Sequence, residues 1–217
     1  GWLRTGELTA STDEGASWYT LTHKLENGLS ARTRELGLRT EGGTDFHIHG
    51  VAVAPSDPNT VYVGSVHDTV YPNLTFNLHG AHIWKSSDGG QTFPEMSEGF
   101  PIETKTSINS IVVHPTNSEV AYAMTTLHET ETAIGIYKTT NGAQSWFPVN
   151  EGLDPYTNDL QMDPINPDIL YAATESGIYK TTNGAQSWSK YSTGIPKAPV
   201  IDMAIDPLNP LVLYAIT

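Results

Sequence analysis

The chain contains no cysteine. That absence excludes a disulfide framework, a zinc ribbon, a thiolate cluster, a c-type haem attachment and a cysteine nucleophile together, so any metal must sit on histidine and carboxylate. Basic residues are scarce as well: 11 Lys plus Arg face 24 Asp plus Glu for a formal charge of −13, with no basic cluster to interrupt the deficit. Such a field repels phosphate backbones and excludes nucleic acid as a partner. Nowhere does an apolar run reach the ~18 residues of a membrane-spanning helix, so the sequence holds no transmembrane segment of that kind. Gly1 rather than Met opens it, and no basic stretch followed by an apolar one comes next, which reads as a mature, trimmed or excised chain. At 217 residues the expectation is one domain with its own core.

What is present is a repeat. Val51–Gly64, Ile111–Ala123, Leu160–Ala172 and Met203–Ala215 each read as strand, proline-containing turn, strand, with Pro55, Pro115, Pro164 and Pro207 in register. A second motif interleaves with the first: Ser11–Trp18, Ser86–Phe93, Thr139–Trp146 and Thr181–Trp188, of which residues 135–146 and 177–188 are identical. Asp13, Asp88, Asn141 and Asn183 can fold a side-chain oxygen back onto backbone amides, Gly15, Gly90, Gly142 and Gly184 can supply positive φ, and the aromatic packs over the turn. Two hairpins per unit make a four-stranded blade. No stretch has helical periodicity, so the expected fold is all-β, a propeller of about four such blades.

The pattern Ser/Thr-x-Asp-x-Gly-x-Ser/Thr-Trp/Phe resembles the Asp-box, and nearly the whole chain is similar to the Asp-box or BNR-repeat propellers. That group includes sialidases, xyloglucan-degrading endoglucanases, sortilin-type receptors and photosystem assembly factors. The blade bounds expected on this pattern are a half blade over 1–28, blades over 45–99, 105–152 and 157–194, and a half blade over 199–217. If the two halves pair, the chain closes as a four-bladed ring; otherwise it is an arc of a larger propeller, and this is the favoured reading. An arc has open sheet edges that invite self-association.

In a propeller the innermost strands line the central axis, so equivalent positions converge. Six residues before the prolines stand His49, Asn109, Asn158 and Ile201, and five before them Gly50, Ser110, Asp159 and Asp202. His49, Asn109, Ser110 and Asn158 are the candidate binding residues, and Asp159 with Asp202 the candidate carboxylate pair. The plain alternative is that these polar groups cap turns or hold channel water.

The second blade is the decorated one, with long connections over Leu29–Thr44 and Ser65–Gly80. Five of the eight histidines fall there: His47, His49, His67, His79 and His82. His47 and His49 are two apart and on a strand would share a face, so with His67 they are candidate ligands for Zn or Cu. Calcium at the Asp-boxes does not fit, because each offers one carboxylate at most where calcium wants about six to eight oxygens. Trp18, Trp146 and Trp188 are expected to pack within their boxes, and Trp84 within its blade. Trp2, Tyr71 and Tyr191 are freer to stack on a sugar. Asn73-Leu-Thr75 matches a glycosylation sequon.

The resemblance also tests enzyme readings. Sialidases of this type grip a carboxylate with arginines from several blades, whereas here arginine is confined to Arg4, Arg32, Arg34 and Arg39. Xyloglucanase-like members use two aspartates across a cleft between two propellers; Asp159 and Asp202 lie outside that family's catalytic sequence context. The reading is therefore an extracellular, periplasmic or cell-surface binding or scaffold module for a protein or glycan. The alternatives are a glycoside hydrolase completed by further blades and a histidine metal site.

Overall fold

The computed structural model describes residues 8–27, 46–68, 79–101, 106–127, 133–196 and 198–217. Strands β1 (Thr9–Ala10) and β2 (Tyr19–Thr20) form a two-stranded sheet followed by a short helix α1 (Thr22–Asn27). The second blade holds β3 (Phe46–Ala54), β4 (Asp57–Asp68) and β5 (His79–Ser86), with Glu95 bridging to Trp84 where a fourth strand runs in the other blades. The third comprises β6 (Thr106–Val113), β7 (Ala121–Leu127), β8 (Ala133–Thr139) and β9 (Phe147–Pro148). The fourth comprises β10 (Thr157–Met162), β11 (Leu170–Thr174), β12 (Gly177–Thr181) and β13 (Ser189–Lys190). A last antiparallel pair joins β14 (Asp202–Ile205) to β15 (Leu213–Ile216).

This is the expected all-β array of blades. Successive inner strands lie side by side, β3 against β6, β6 against β10 and β10 against β14. The cores sit between blades. Tyr62 and Ile83 pack on Ile108, Ile111 and Trp146, and Tyr122 and Ile136 pack on Leu160, Leu170 and Trp188. β-branched and aromatic residues fill both faces of these strands because each blade is covered on both sides.

Polar clasps cross the same seams. Tyr62 Oη donates to Ser118 O at 2.7 Å and Tyr122 Oη to Gly184 O at 3.1 Å, each reaching the following blade. In the other direction Trp146 Nε1 donates to Met96 O at 3.0 Å and Trp188 Nε1 to Val149 O at 2.9 Å. Trp18 departs from the packing expected of it: its ring is exposed and its Nε1 donates within its own turn to Gly15 O at 3.1 Å. The physical reason is that no blade precedes it among the described residues.

The Asp-boxes are hydrogen-bonded turns, as their sequence implies. Asp88 accepts from Ser86 Oγ at 2.7 Å, Thr92 N at 2.9 Å and Thr92 Oγ1 at 2.6 Å. Asn141 uses both halves of its amide, Oδ1 accepting from Ser145 N at 3.1 Å and Nδ2 donating to Ser145 Oγ at 3.0 Å. Two successive residues in each box take positive φ, one more than the glycine alone suggests: Gly89 and Gly90 in one, Gly142 and Ala143 in another.

Two local features depart from the sequence reading. Helix α1 is too short to leave a periodic signature, yet it brings the Leu25 carbonyl to Trp84 Nε1 at 3.1 Å. The connection read as Ser65–Gly80 is partly strand, since β4 runs to Asp68 opposite His79. Residues 28–45 and 69–78 lie outside the described residues, and with them most of both long connections, Tyr71 and the sequon at Asn73.

Candidate functional site

Three inner strands carry a β-bulge at one equivalent place. Pairing of β3 with β4 jumps from Ile48↔Ser65 to Gly50↔Gly64. That of β6 with β7 jumps from Ile108↔Thr125 to Ser110↔Met124, and that of β10 with β11 from Thr157↔Thr174 to Asp159↔Ala173. The residues left over are His49, Asn109 and Asn158. A bulge residue has no ladder partner, and its side chain is turned out of the regular alternation. The sequence located these positions by their distance from the prolines; the bulge that aims them has no sequence signal of its own.

Their side chains link neighbouring blades. His49 Nδ1 lies 3.2 Å from Asn109 Oδ1, which also accepts from Ser107 Oγ at 2.6 Å. With that oxygen an acceptor, the neutral imidazole carries its proton on Nδ1. Ser110 follows in the ladder opposite Met124 and is half-buried. Asn158 Nδ2 donates to Val200 O at 2.9 Å, bridging β10 to the segment entering β14.

Asp159 and Asp202, expected from different blades, meet at one amide. Met203 N donates to Asp202 Oδ1 at 2.8 Å and to Asp159 Oδ2 at 3.1 Å, and Asp159 Oδ2 also accepts from Gln161 Nε2 at 3.0 Å. The arrangement offers two carboxylates, two amides and an imidazole along adjoining inner strands. It can bind cationic and hydrogen-bonding groups, or hold a carboxylate pair against a substrate.

The expected histidine cluster is resolved only at the backbone. His47 pairs with Val66 and His67 with Phe46, while the side chains of His47 and His67 lie outside what is described. Among the described residues, no three His, Asp or Glu side chains group closely enough to hold a metal ion. Tyr191, read as a stacking platform, carries the Lys180 ammonium 4.8 Å from its ring centroid. Trp84 is buried, as expected.

Sequence reasoning missed a buried His–Glu contact in the second blade. His82 Nδ1 lies 2.7 Å from Glu95 Oε1, both side chains almost wholly buried, and Ser97 Oγ donates to the same oxygen at 2.9 Å. In the third blade these positions are Gly135 and Pro148. Comparing the repeats column by column would have exposed the double departure.

Residues 81–209, more than half of the chain, match the sequence profile of the Sortilin-Vps10 family, described as sortilin, neurotensin receptor 3. The chain belongs to the Sortilin-Vps10 family. Among curated proteins this Sortilin-Vps10 chain is similar to the dispase autolysis-inducing protein of Streptomyces mobaraensis. The identity is 27% over 90 residues, covering 42% of the chain and 24% of that protein. Among solved structures it is similar to an ancestral GH74 enzyme, with TM-score 0.58 and 25% identity over 78% of the chain and 22% of that enzyme. The GH74 xyloglucanase from Xanthomonas campestris shares the fold, with TM-score 0.60 and 14% identity over 92% of the chain and 29% of the xyloglucanase. The chain spans about a quarter of the length of these relatives. No helix among the described residues is long and apolar enough to cross a membrane.

Proposed function

We propose that this chain is an extracellular binding module that takes a peptide segment of a protein partner at the mouth formed by its inner strands. The observation that carries the reading is the recurrence of one bulge in three blades, placing His49, Asn109 and Asn158 at one equivalent position on adjoining inner strands. Amides and an imidazole match the donors and acceptors of an extended peptide, and Asp159 with Asp202 suits a cationic side chain or amino terminus. The family's description names a neurotensin receptor, which supports a receptor-like binding role here.

The test is a peptide-library selection on the immobilised chain, followed by titration calorimetry of the selected peptides. Replacing Asn109 and Asn158 with alanine should weaken binding at least tenfold while leaving the circular dichroism unchanged. Binding unaffected by the double replacement would place recognition elsewhere and overturn the reading.

A hydrolase is the second reading, favoured by the likeness to GH74 enzymes and the meeting of two carboxylates at Met203 N. The oxygens that share that amide are at most about 6 Å apart, short of the ~6.5–9.5 Å an inverting pair leaves for its water. That bound includes the ~5–5.5 Å of a retaining pair, so the binding reading rests on the row of bulges and not on this spacing. Xyloglucan cleavage lost on Asp159→Asn with Asp202→Asn would reverse the ranking.

A further inference from the structure

Asn141-Gly142 and Asn183-Gly184 stand in the turns of two Asp-boxes whose flanks, residues 135–146 and 177–188, are identical. The other two boxes carry Asp13 and Asp88 at that place. Asparagine before glycine is the step at which a side-chain amide is most readily lost, because glycine has no Cβ to shield the backbone nitrogen that attacks it. Both asparagines are exposed, so water reaches them.

The reaction needs only the chain and water. Gly142 N gives up its proton and bonds to Asn141 Cγ, the Cγ–Nδ2 bond breaks, and ammonia leaves with that proton from a cyclic imide. Water then opens the imide. If its oxygen bonds to Cγ, the Cγ–N bond breaks, the nitrogen regains a proton and the product is an ordinary aspartate. If it bonds to the main-chain carbonyl carbon, the chain runs on through the side chain as isoaspartate. Either way asparagine plus water becomes an acid plus ammonia.

The closed box holds both reacting groups. Gly142 N donates to Glu119 O at 2.9 Å and Gly184 N to Asp168 O at 3.0 Å. Asn141 Oδ1 accepts from Thr139 Oγ1 at 2.9 Å and Ser145 N at 3.1 Å, and its Nδ2 donates to Ser145 Oγ at 3.0 Å. Asn183 repeats these bonds with Thr181 and Ser187 at 2.8, 3.1 and 3.0 Å. Attack therefore requires the box to open. The aspartyl product fits the closed box: Ser145 Oγ has only to turn from acceptor to donor to make the bond that Thr92 Oγ1 makes to Asp88. Isoaspartate adds an atom to the main chain and shifts Gly142 N away from Glu119 O.

We propose that Asn141-Gly142 and Asn183-Gly184 are deamidation sites gated by opening of their boxes, and that the aspartyl product closes again as a box of the kind built on Asp13 and Asp88. The fold also sets an order. Gly184 O accepts from Tyr122 Oη at 3.1 Å and Lys138 Nζ at 3.0 Å across the blade seam. The matching Tyr62 Oη and Lys85 Nζ go instead to Ser118 O and Glu119 Oε1, and no hydrogen bond reaches Gly142 O among the described residues. Box opening is thus easier at Asn141, which deamidates first.

The test holds the whole chain in mildly alkaline buffer, native and in guanidinium, and maps the sites over time by mass spectrometry with isoaspartate resolved from aspartate. Asn27-Gly28, outside the boxes, is scored separately. In guanidinium the identical flanks should give Asn141 and Asn183 one rate. In the native chain both should be at least tenfold slower, with Asn183 the slower. Native rates equal to the denatured ones overturn the proposal, as does Asn183 reacting ahead of Asn141. The variant Asn141→Asp with Asn183→Asp supplies the product directly and should melt no lower than the parent at neutral pH. A lower melting temperature for that variant likewise overturns the proposal.

Discussion

Three glycines at one repeat position let the energy of a blade seam be measured against an internal control. Gly99, Gly152 and Gly194 have φ of +96°, +78° and +88°, so alanine strains the backbone at all three. A left-handed conformation costs a non-glycine residue about 1–2 kcal/mol. A methyl on Gly99 would also collide with the Trp146 carbonyl and one on Gly152 with the Trp188 carbonyl, whereas one on Gly194 meets nothing within 4 Å among the described residues. These are backbone atoms held by neighbouring bonds, Trp146 N to Glu98 O at 2.9 Å and Trp188 N to Glu151 O at 2.8 Å, and they cannot swing aside. Relieving the collision opens the seam and adds at least ~2 kcal/mol, in the range of core overpacking. For a chain of this length each kcal/mol moves the melting temperature by about 2–4 °C. Calorimetry should therefore show Gly194→Ala lowering Tm by about 2–8 °C. Gly99→Ala and Gly152→Ala should lower it by at least ~6 °C, each by more than Gly194→Ala. Equal losses at the three sites would refute the collision as the cause and reduce the effect to φ strain.

Two further predictions concern buried and hydrogen-bonded charge. Ser17 hydroxyl and amide bonds to Asp13, and those of Thr92 to Asp88, hold both carboxyls at about 2. A carboxyl depressed in the folded state adds stability above its ordinary 3.8 that is lost as pH falls through 2, so the two Asp boxes should weaken between about pH 4 and 2 while the Asn boxes do not titrate. Carboxyl carbon NMR titration checks this, and midpoints near 3.8 would remove the hydrogen-bond explanation. In the second blade, Glu95→Leu takes the carboxylate from His82 Nδ1 and should cost about 1–3 kcal/mol. The double variant His82→Gly with Glu95→Pro, which restores the residues of the third blade, should recover most of that loss in chemical denaturation. A double variant no more stable than Glu95→Leu alone would show that the pair is bound into structure the other blades lack.

The blade pattern was legible because its signals are local and repeated. Asp88 and Asn141 sit in turns whose chemistry is written in four consecutive residues, and Pro55, Pro115, Pro164 and Pro207 mark each inner hairpin. The candidate site was legible only as a position. His49, Asn109 and Asn158 stand at one distance from those prolines, but the bulge that aims them depends on how a strand meets its partner across a blade, which no local residue type encodes. The convergence of Asp159 and Asp202 on Met203 N needed the placement of two blades side by side. Helix α1 escaped because six residues show less than two turns of any period.

The same reasoning locates where this chain differs from a plain repeat. A structural position that repeats with one chemistry, such as the hydroxyl at Ser65, Thr125 and Thr174, serves the fold: Thr125 Oγ1 donates to Gly135 O at 3.0 Å across the strand pair and Thr174 Oγ1 to Gly177 O at 2.8 Å, where it closes a tight hairpin. In the second blade His82 replaces the glycine, and Ser65 Oγ is buried with no hydrogen-bond partner among the described residues. The extended β4–β5 hairpin thus carries a His82–Glu95 pair where the other blades have a hydroxyl-to-glycine bond. A buried polar exchange of this kind costs stability unless the longer hairpin returns it in another form. The second blade is therefore where specificity for a partner is to be sought, next to His49 and the row of bulges rather than in the Asp-boxes that hold every blade alike.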